Sequence, residues 1–182
     1  MKLVPDMVFV KIKNSLVVLM TKHEILLVED SPEDADLVRR AVDKHLPGQF
    51  SITHKKNIKD AEAHIKSHKD DVSVILLDLG LPDTKSGRDT FEHMKEYAPK
   101  IPIVVLTGME DHELALALVR EGAEDFVNKG LIHEKPELLR NALEFASCRH
   151  ELIGDVHKKH QDAVNEKEEL IAWMHGGYSV KN

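Results

Sequence analysis

From about residue 23 the chain alternates short apolar runs with segments whose apolar residues recur every three or four positions. The runs are 24–29 (EILLVE), 49–55 (QFSITHK), 72–79 (VSVILLDL), 101–108 (IPIVVLTG) and 125–128 (DFVN). Three of them are continuously hydrophobic and rich in Ile, Val and Leu, as strands are when helices cover both faces of their sheet. Between them lie helical periods. Ser31-Pro32-Glu33-Asp34 supplies an N-cap, a first-turn proline and acidic first-turn residues. Ala35, Val38, Val42 and Leu46 follow at helical steps, and Pro47-Gly48 stops the run. Ile58, Ala61 and Ile65 mark a second helix, and Phe91, Met94 and Ala98 a third. A fourth carries Leu114, Ala115, Ala117, Leu118, Val119 and Glu121 and closes at Gly122. A fifth begins near Pro136 with Leu138, Leu139, Ala142 and Phe145. Five strand–helix repeats predict an α/β fold with a doubly wound parallel sheet.

Two stretches fall outside that unit, giving expected divisions at 1–22, 23–147 and 148–182. Residues 1–22 read either as a small hairpin around Asn14-Ser15 or as an extension upstream of an ordinary start at Met20. No function attaches to either. Beyond Phe145 a stripe at 138, 142, 145, 149, 152, 156, 159, 163, 166, 170 and 173 repeats about every 3.5 residues. Most of its positions are apolar, but Arg149, Lys159 and Glu166 are not, and Gly154 costs about 1 kcal/mol in a helix. The pattern is that of an interrupted coiled-coil or signalling helix, ended by Gly176-Gly177.

Composition narrows the function. The 182 residues are 42% hydrophobic and 31% charged, enough for one domain of about 100–150 residues with chain to spare. A net charge of −7 argues against sequence-independent nucleic-acid binding, which needs a basic face. One cysteine, Cys148, excludes a disulfide framework and fits a reducing, cytoplasmic address. No stretch is long and apolar enough to span a membrane.

In a doubly wound sheet, ligands bind beyond the carboxyl ends of the strands. Those ends carry Glu29-Asp30, Asp78, Thr107 and Lys129. Adjacent strands lie about 4.8 Å apart, so Glu29, Asp30 and Asp78 converge if the first and third strands are neighbours. Each carboxylate pair at about 4 Å costs on the order of 4 kcal/mol at an effective dielectric of 20, so the cluster wants a cation. Lys129 provides one positive charge, and a hard divalent ion such as Mg²⁺ suits the oxygen ligands. Carboxylates, a lysine and a hydroxyl around a metal are the parts that place a phosphoryl group on an aspartate.

The segments LLVEDS (26–31), LLDLGLPD (76–83), VVLTG (104–108) and GAEDFVNKG (122–130) together resemble the response-regulator receiver domain of two-component signalling, over residues 23–147. The resemblance implies a flavodoxin-like sheet with strand order 2-1-3-4-5. It makes Asp78 the phosphoacceptor, and has Glu29, Asp30, Asp78 and the Gly80 carbonyl hold Mg²⁺. Thr107 and Lys129 then engage the phosphoryl group, and Phe126 sits at the aromatic switch position coupled to Thr107. Gly80 and Met109 fall where the family varies the lifetime of the phosphoaspartate. The implied partner is a histidine kinase or phosphotransfer protein, with a homodimer as a further expectation. Three departures stand out: Gly130 follows Lys129 where many receivers have proline, the 82–87 loop is one residue longer, and Phe126 lacks a hydroxyl.

Competing readings are weaker. His64 and His68 share a helix face, as do His157 and His160, but each pair sits among lysines and reads as a solvated surface. His150 or His157 as phosphodonor would need an ATP-binding region, for which the residues after Phe145 are too few. An aspartyl phosphatase would want a second aspartate where Gly80 stands. A receiver-like scaffold acting through its C-terminal helix is the alternative from another class. The expectation is a signalling switch, not a turnover enzyme.

Overall fold

The computed structural model describes residues 7–12, 15–20, 23–68, 71–108 and 111–149. At the N-terminus, β1 (Met7–Ile12) and β2 (Ser15–Met20) pair antiparallel, with Met7 opposite Met20. This stretch thus contains the small hairpin that one of its two readings expects. The helical stripe expected beyond 149 lies outside the described residues, as does Met109.

The remaining strands are β3 (His23–Val28), β4 (Phe50–Lys55), β5 (Val72–Asp78), β6 (Ile103–Thr107) and β7 (Asp125–Asn128). They form one parallel sheet in the order β4-β3-β5-β6-β7, which is the expected 2-1-3-4-5 order. The helices are α1 (Pro32–His45), α2 (Ile58–His68), α3 (Gly87–Tyr97), α4 (His112–Arg120) and α5 (136–149).

Because side chains alternate across a strand, each continuous apolar run feeds two cores. Leu26, Val28, Ile75, Leu77 and Val105 face Ile58, Ala61, Ile65, Phe91, Met94 and Leu118 of α2, α3 and α4. Ile25, Leu27, Val74, Leu76, Val104 and Leu106 face Ala35, Val38 and Val42 of α1 and Leu139, Ala142, Leu143 and Ala146 of α5.

One phase differs from expectation. Leu138 and Phe145 are 40% and 62% exposed, and Leu143 and Ala146 take their places in the core. Apolar residues surround α5 so fully that period alone does not select its buried stripe.

Local chemistry ends each helix near the site. Ser31 caps α1, its hydroxyl accepting from the Asp34 amide, with Pro32 in the first turn. Gly122 at φ +108° occupies the left-handed turn after α4 that a side chain would strain. The long loop after β5 is pinned rather than loose. Asp83 accepts from the Ile58 and Lys59 amides at 3.2 Å each, capping α2 across the sheet edge. Thr84 and Thr90 hydroxyls meet at 2.6 Å, and Ser86 caps α3. We expect Asp83→Ala to cost about 1 kcal/mol, the usual worth of a helix cap, measured by urea unfolding. An unmoved midpoint would show that Asn57, which accepts from the Asp60 amide at 2.8 Å, caps α2 alone.

Candidate functional site

Parallel pairing brings the chemistry to one end of the sheet. β3 and β5 run in register with Val28 beside Leu77, so Glu29 and Asp30 emerge level with Asp78, the last residue of β5. The Glu29 amide still donates to the Lys55 carbonyl at 2.9 Å, and the His54 ring bonds the Glu29 carbonyl at 2.7 Å. The Glu29 backbone is therefore tied to β4 through both its amide and its carbonyl. Carboxylate oxygens of Glu29, Asp30 and Asp78 lie within 4.8 Å of one another, with Glu29 and Asp78 buried and Asp30 exposed. Gly80 donates its amide to Asp78 Oδ2 at 2.9 Å, which orients the carboxylate.

Lys129 follows β7 directly, at the start of a short 3₁₀ turn (Lys129–Leu131) capped by Asn128. Its ammonium meets Asp78 Oδ1 at 2.9 Å, Glu29 Oε2 at 3.0 Å and Asp34 Oδ2 at 2.7 Å. Burial alone would lower the Lys129 pKa, but hydrogen bonds to Asp34, Asp78 and Glu29 outweigh it and hold the pKa above its usual value. Thr107 closes β6, one residue beyond the Leu106–Asp78 pair, and is buried. Phe126 is half-buried on β7 beside Val105, packed on the core of α2, α3 and α4. Its ring meets His112, the first residue of α4, edge-on at 5.4 Å.

Burial and then the charge of Asp78 push the Glu29 carboxyl up to about 7, against the lowering pull of Lys129. The folded, metal-free protein thus holds a proton on Glu29 that the unfolded chain releases above its ordinary pKa of 4.5. This group's contribution to stability is complete below that value and is lost as pH rises through about 7. A bound divalent cation reverses the balance, because it needs the ionised carboxylate. We expect the rise in melting temperature on adding Mg²⁺ to be larger at about pH 8 than at about pH 5.5. Equal rises would mean that Glu29 is ionised throughout. Three oxygen-donor carboxylates with an energetic need for positive charge fit a hard cation.

Of the residues expected from sequence, the structure brings Glu29, Asp30, Asp78, Gly80 and Lys129 together. It sets Thr107 at the end of the next strand and Phe126 further along β7. Sequence reasoning missed Asp34 as a Lys129 partner, His54 beneath Glu29 and His112 against Phe126.

A five-stranded parallel sheet in this order, with an acidic cluster and a lysine at its carboxyl end, defines a flavodoxin-like α/β domain. A family model described as the response regulator receiver domain matches residues 25–144, and the chain belongs to that family. Among curated relatives, the regulatory protein LuxO of Vibrio cholerae is 33% identical over 137 residues, 75% of this chain and 28% of the relative. The nitrogen assimilation regulatory protein NtrX of Azorhizobium caulinodans is 28% identical over 108 residues, 59% of this chain and 23% of the relative. The match thus spans only about a quarter of the length of these relatives. Among solved structures, the signal receiver domain of a Luxo repressor protein from Vibrio parahaemolyticus superposes with a TM-score of 0.62 at 29% identity. That match covers 74% of this chain and 97% of the other. A receiver domain protein from Clostridium thermocellum shares the fold at 19% identity and a TM-score of 0.59, over 72% of this chain and 98% of the other. No helix among the described residues is long and apolar enough to cross a membrane.

Proposed function

We propose that this chain is a phosphorylation-controlled switch in which Asp78 accepts a phosphoryl group from a phosphohistidine on a histidine kinase or phosphotransfer protein. The observation that carries the reading is the Lys129 ammonium 2.9 Å from Asp78 Oδ1, beside the Glu29–Asp30–Asp78 cluster. An Asp78 oxygen attacks phosphorus, the P–N bond breaks, and the departing imidazole keeps the electron pair and takes up a proton. Glu29, Asp30, Asp78 and the Gly80 carbonyl would hold Mg²⁺, which supplies positive charge against the phosphoryl oxygens. The Gly80 amide keeps the attacking carboxylate in place, and Lys129 neutralises charge that builds on the transferred group.

Afterwards Thr107 and Lys129 reach the phosphoryl oxygens, favouring one arrangement of the β6–α4 and β7–α5 ends over another. Phe126 couples that shift to α4 by packing against His112. The output is altered affinity of the α4–β7–α5 face for a protein partner or a second copy. Slow hydrolysis of the phosphoaspartate resets the switch, so the chain signals rather than turns over substrate. The receiver unit spans 23–147, consistent with a core whose last apolar member is Ala146. A cytoplasmic setting supplies the phosphodonor and keeps Cys148 reduced. The net charge of −7 favours protein over nucleic acid as the contact made by these residues. The test is incubation with a phosphorylated phosphotransfer protein and Mg²⁺. The account expects label to leave the donor and appear on this chain, and label confined to the donor contradicts it.

A scaffold reading draws on one observation, the exposed Leu138 and Phe145 on α5. It requires binding through that face to be unchanged by phosphorylation.

A further inference from the structure

An ammonium group has three N–H donors. In the resting structure Lys129 donates to Asp34 at 2.7 Å and to Glu29 at 3.0 Å, and its ammonium also ion-pairs with Asp78 at 2.9 Å. A phosphoryl oxygen on Asp78 therefore competes for Lys129 with the carboxylates that already hold it.

The three are not equally replaceable. Glu29 is fully buried and also accepts from the Ser31 amide at 3.2 Å. Asp78 carries the new group itself and stays tied to the Gly80 amide. Asp34 is the exposed member, its side chain 36% accessible, so water can take the place of Lys129. It also lies in the first turn of α1, where the helix dipole favours a free carboxylate.

Local structure explains why Asp34 points at the lysine. Ser31 and Asp34 stand at the spacing of a capping box, in which the later acid would reach back to the cap's own amide. Here the Ser31 amide is taken by Glu29, which leaves the Asp34 carboxylate to bond Lys129.

We propose that Asp34 is a competing anion for Lys129: it holds the ammonium in the resting protein and gives it up to a phosphoryl oxygen on Asp78. Asp34 is then a positioning residue that sets the threshold of the switch. The proposal rests on the reading of Asp78 as phosphoacceptor.

The competition has a signature that a stabilising ion pair lacks. Losing an ordinary ion pair lowers stability and weakens ligand binding together, whereas losing a competitor strengthens binding even as stability falls or holds. The probe is beryllofluoride, which forms a phosphoryl-like group on an aspartate carboxylate, titrated at saturating Mg²⁺. Asp34→Asn is expected to bind it about three- to fivefold more tightly than wild type, the scale of a half-exposed ion pair. Asp34→Ser, which keeps a polar first-turn residue, gives the same rise. Glu33→Gln controls for general charge removal: Glu33 is one residue away and accepts from the Ser31 hydroxyl at 3.3 Å. It should change the affinity less than about twofold, since an exposed charge that does not contact Lys129 is largely screened. Unchanged or weaker binding in both Asp34 variants overturns the proposal, as does an equal rise in Glu33→Gln. If wild type shows no Mg²⁺-dependent beryllofluoride binding, or Asp78→Asn retains it, the phosphoacceptor reading itself falls and takes this one with it.

Discussion

Asp78→Asn is expected to abolish phosphoryl uptake while leaving the fold intact. The asparagine amide is a poor nucleophile, and among the described residues no other carboxylate shares the Asp78 geometry. Asp78 combines the Gly80 amide on one oxygen with Lys129 on the other. Glu29 is turned toward Ser31 and Lys129, and Asp34 lies on α1. The fold survives because the asparagine Oδ1 can still accept a hydrogen bond and the volume is unchanged. Removing the Asp78 charge also takes away one of the two causes that raise the Glu29 pKa. The Glu29 carboxyl should therefore move back toward its ordinary value, and its pH-dependent contribution to stability should shrink. Uptake should fall by at least about a hundredfold, the scale on which losing a nucleophile acts. Intact mass after acetyl phosphate treatment reads this directly, and a retained phosphoryl group would move the acceptor elsewhere.

Lys129→Ala is expected to have the second-largest effect, on two separate readouts. Lys129 is the cation among Glu29, Asp34 and Asp78, and its removal leaves three carboxylates facing each other. Removing one partner of a fully buried pair costs about 3–5 kcal/mol. Here Glu29 can take up a proton in place of the lost ion pair, so a loss of about 2 kcal/mol in metal-free protein is expected by urea unfolding. Saturating Mg²⁺ should restore much of it, because the ion supplies the missing charge. The functional readout is different. Phosphoryl uptake should slow by about tenfold or more, and whatever is taken up should no longer alter hydrogen exchange in α4, β7 and α5. A wild-type exchange response in Lys129→Ala would mean that the switch does not run through this lysine.

Much of this was legible in the chain because two periodicities carry different information. The continuous runs at 72–79 and 101–108 announce strands buried on both faces, and the two cores confirm why. The order of acid, acid, hydroxyl and lysine at successive strand ends places these residues at one end of the sheet, since parallel pairing brings those ends level. What stayed hidden depends on side-chain direction. Asp34 reads as an ordinary first-turn acid, and only the diversion of the Ser31 amide to Glu29 turns it toward Lys129. Asp83 reads as a loop residue of 82–87, although it caps a helix 24 positions earlier in the chain. The contact of His112 with Phe126 joins a helix start to a strand that follows it, with no local signal. On α5, apolar residues at 138, 139, 142, 143, 145 and 146 cover more than one face, so the buried phase was decided by packing against β3, β5 and β6.

The central claim is that Asp78 takes a phosphoryl group with the help of a divalent cation in the pocket formed with Glu29 and Asp30. Its most direct test is acetyl phosphate treatment of the wild-type chain with Mg²⁺ or with EDTA, followed by intact mass and peptide mapping of the modified residue. The account predicts the mass of one phosphoryl group, located on Asp78, in Mg²⁺ and none in EDTA. Equal modification in EDTA, or a group mapped to another residue, would contradict it.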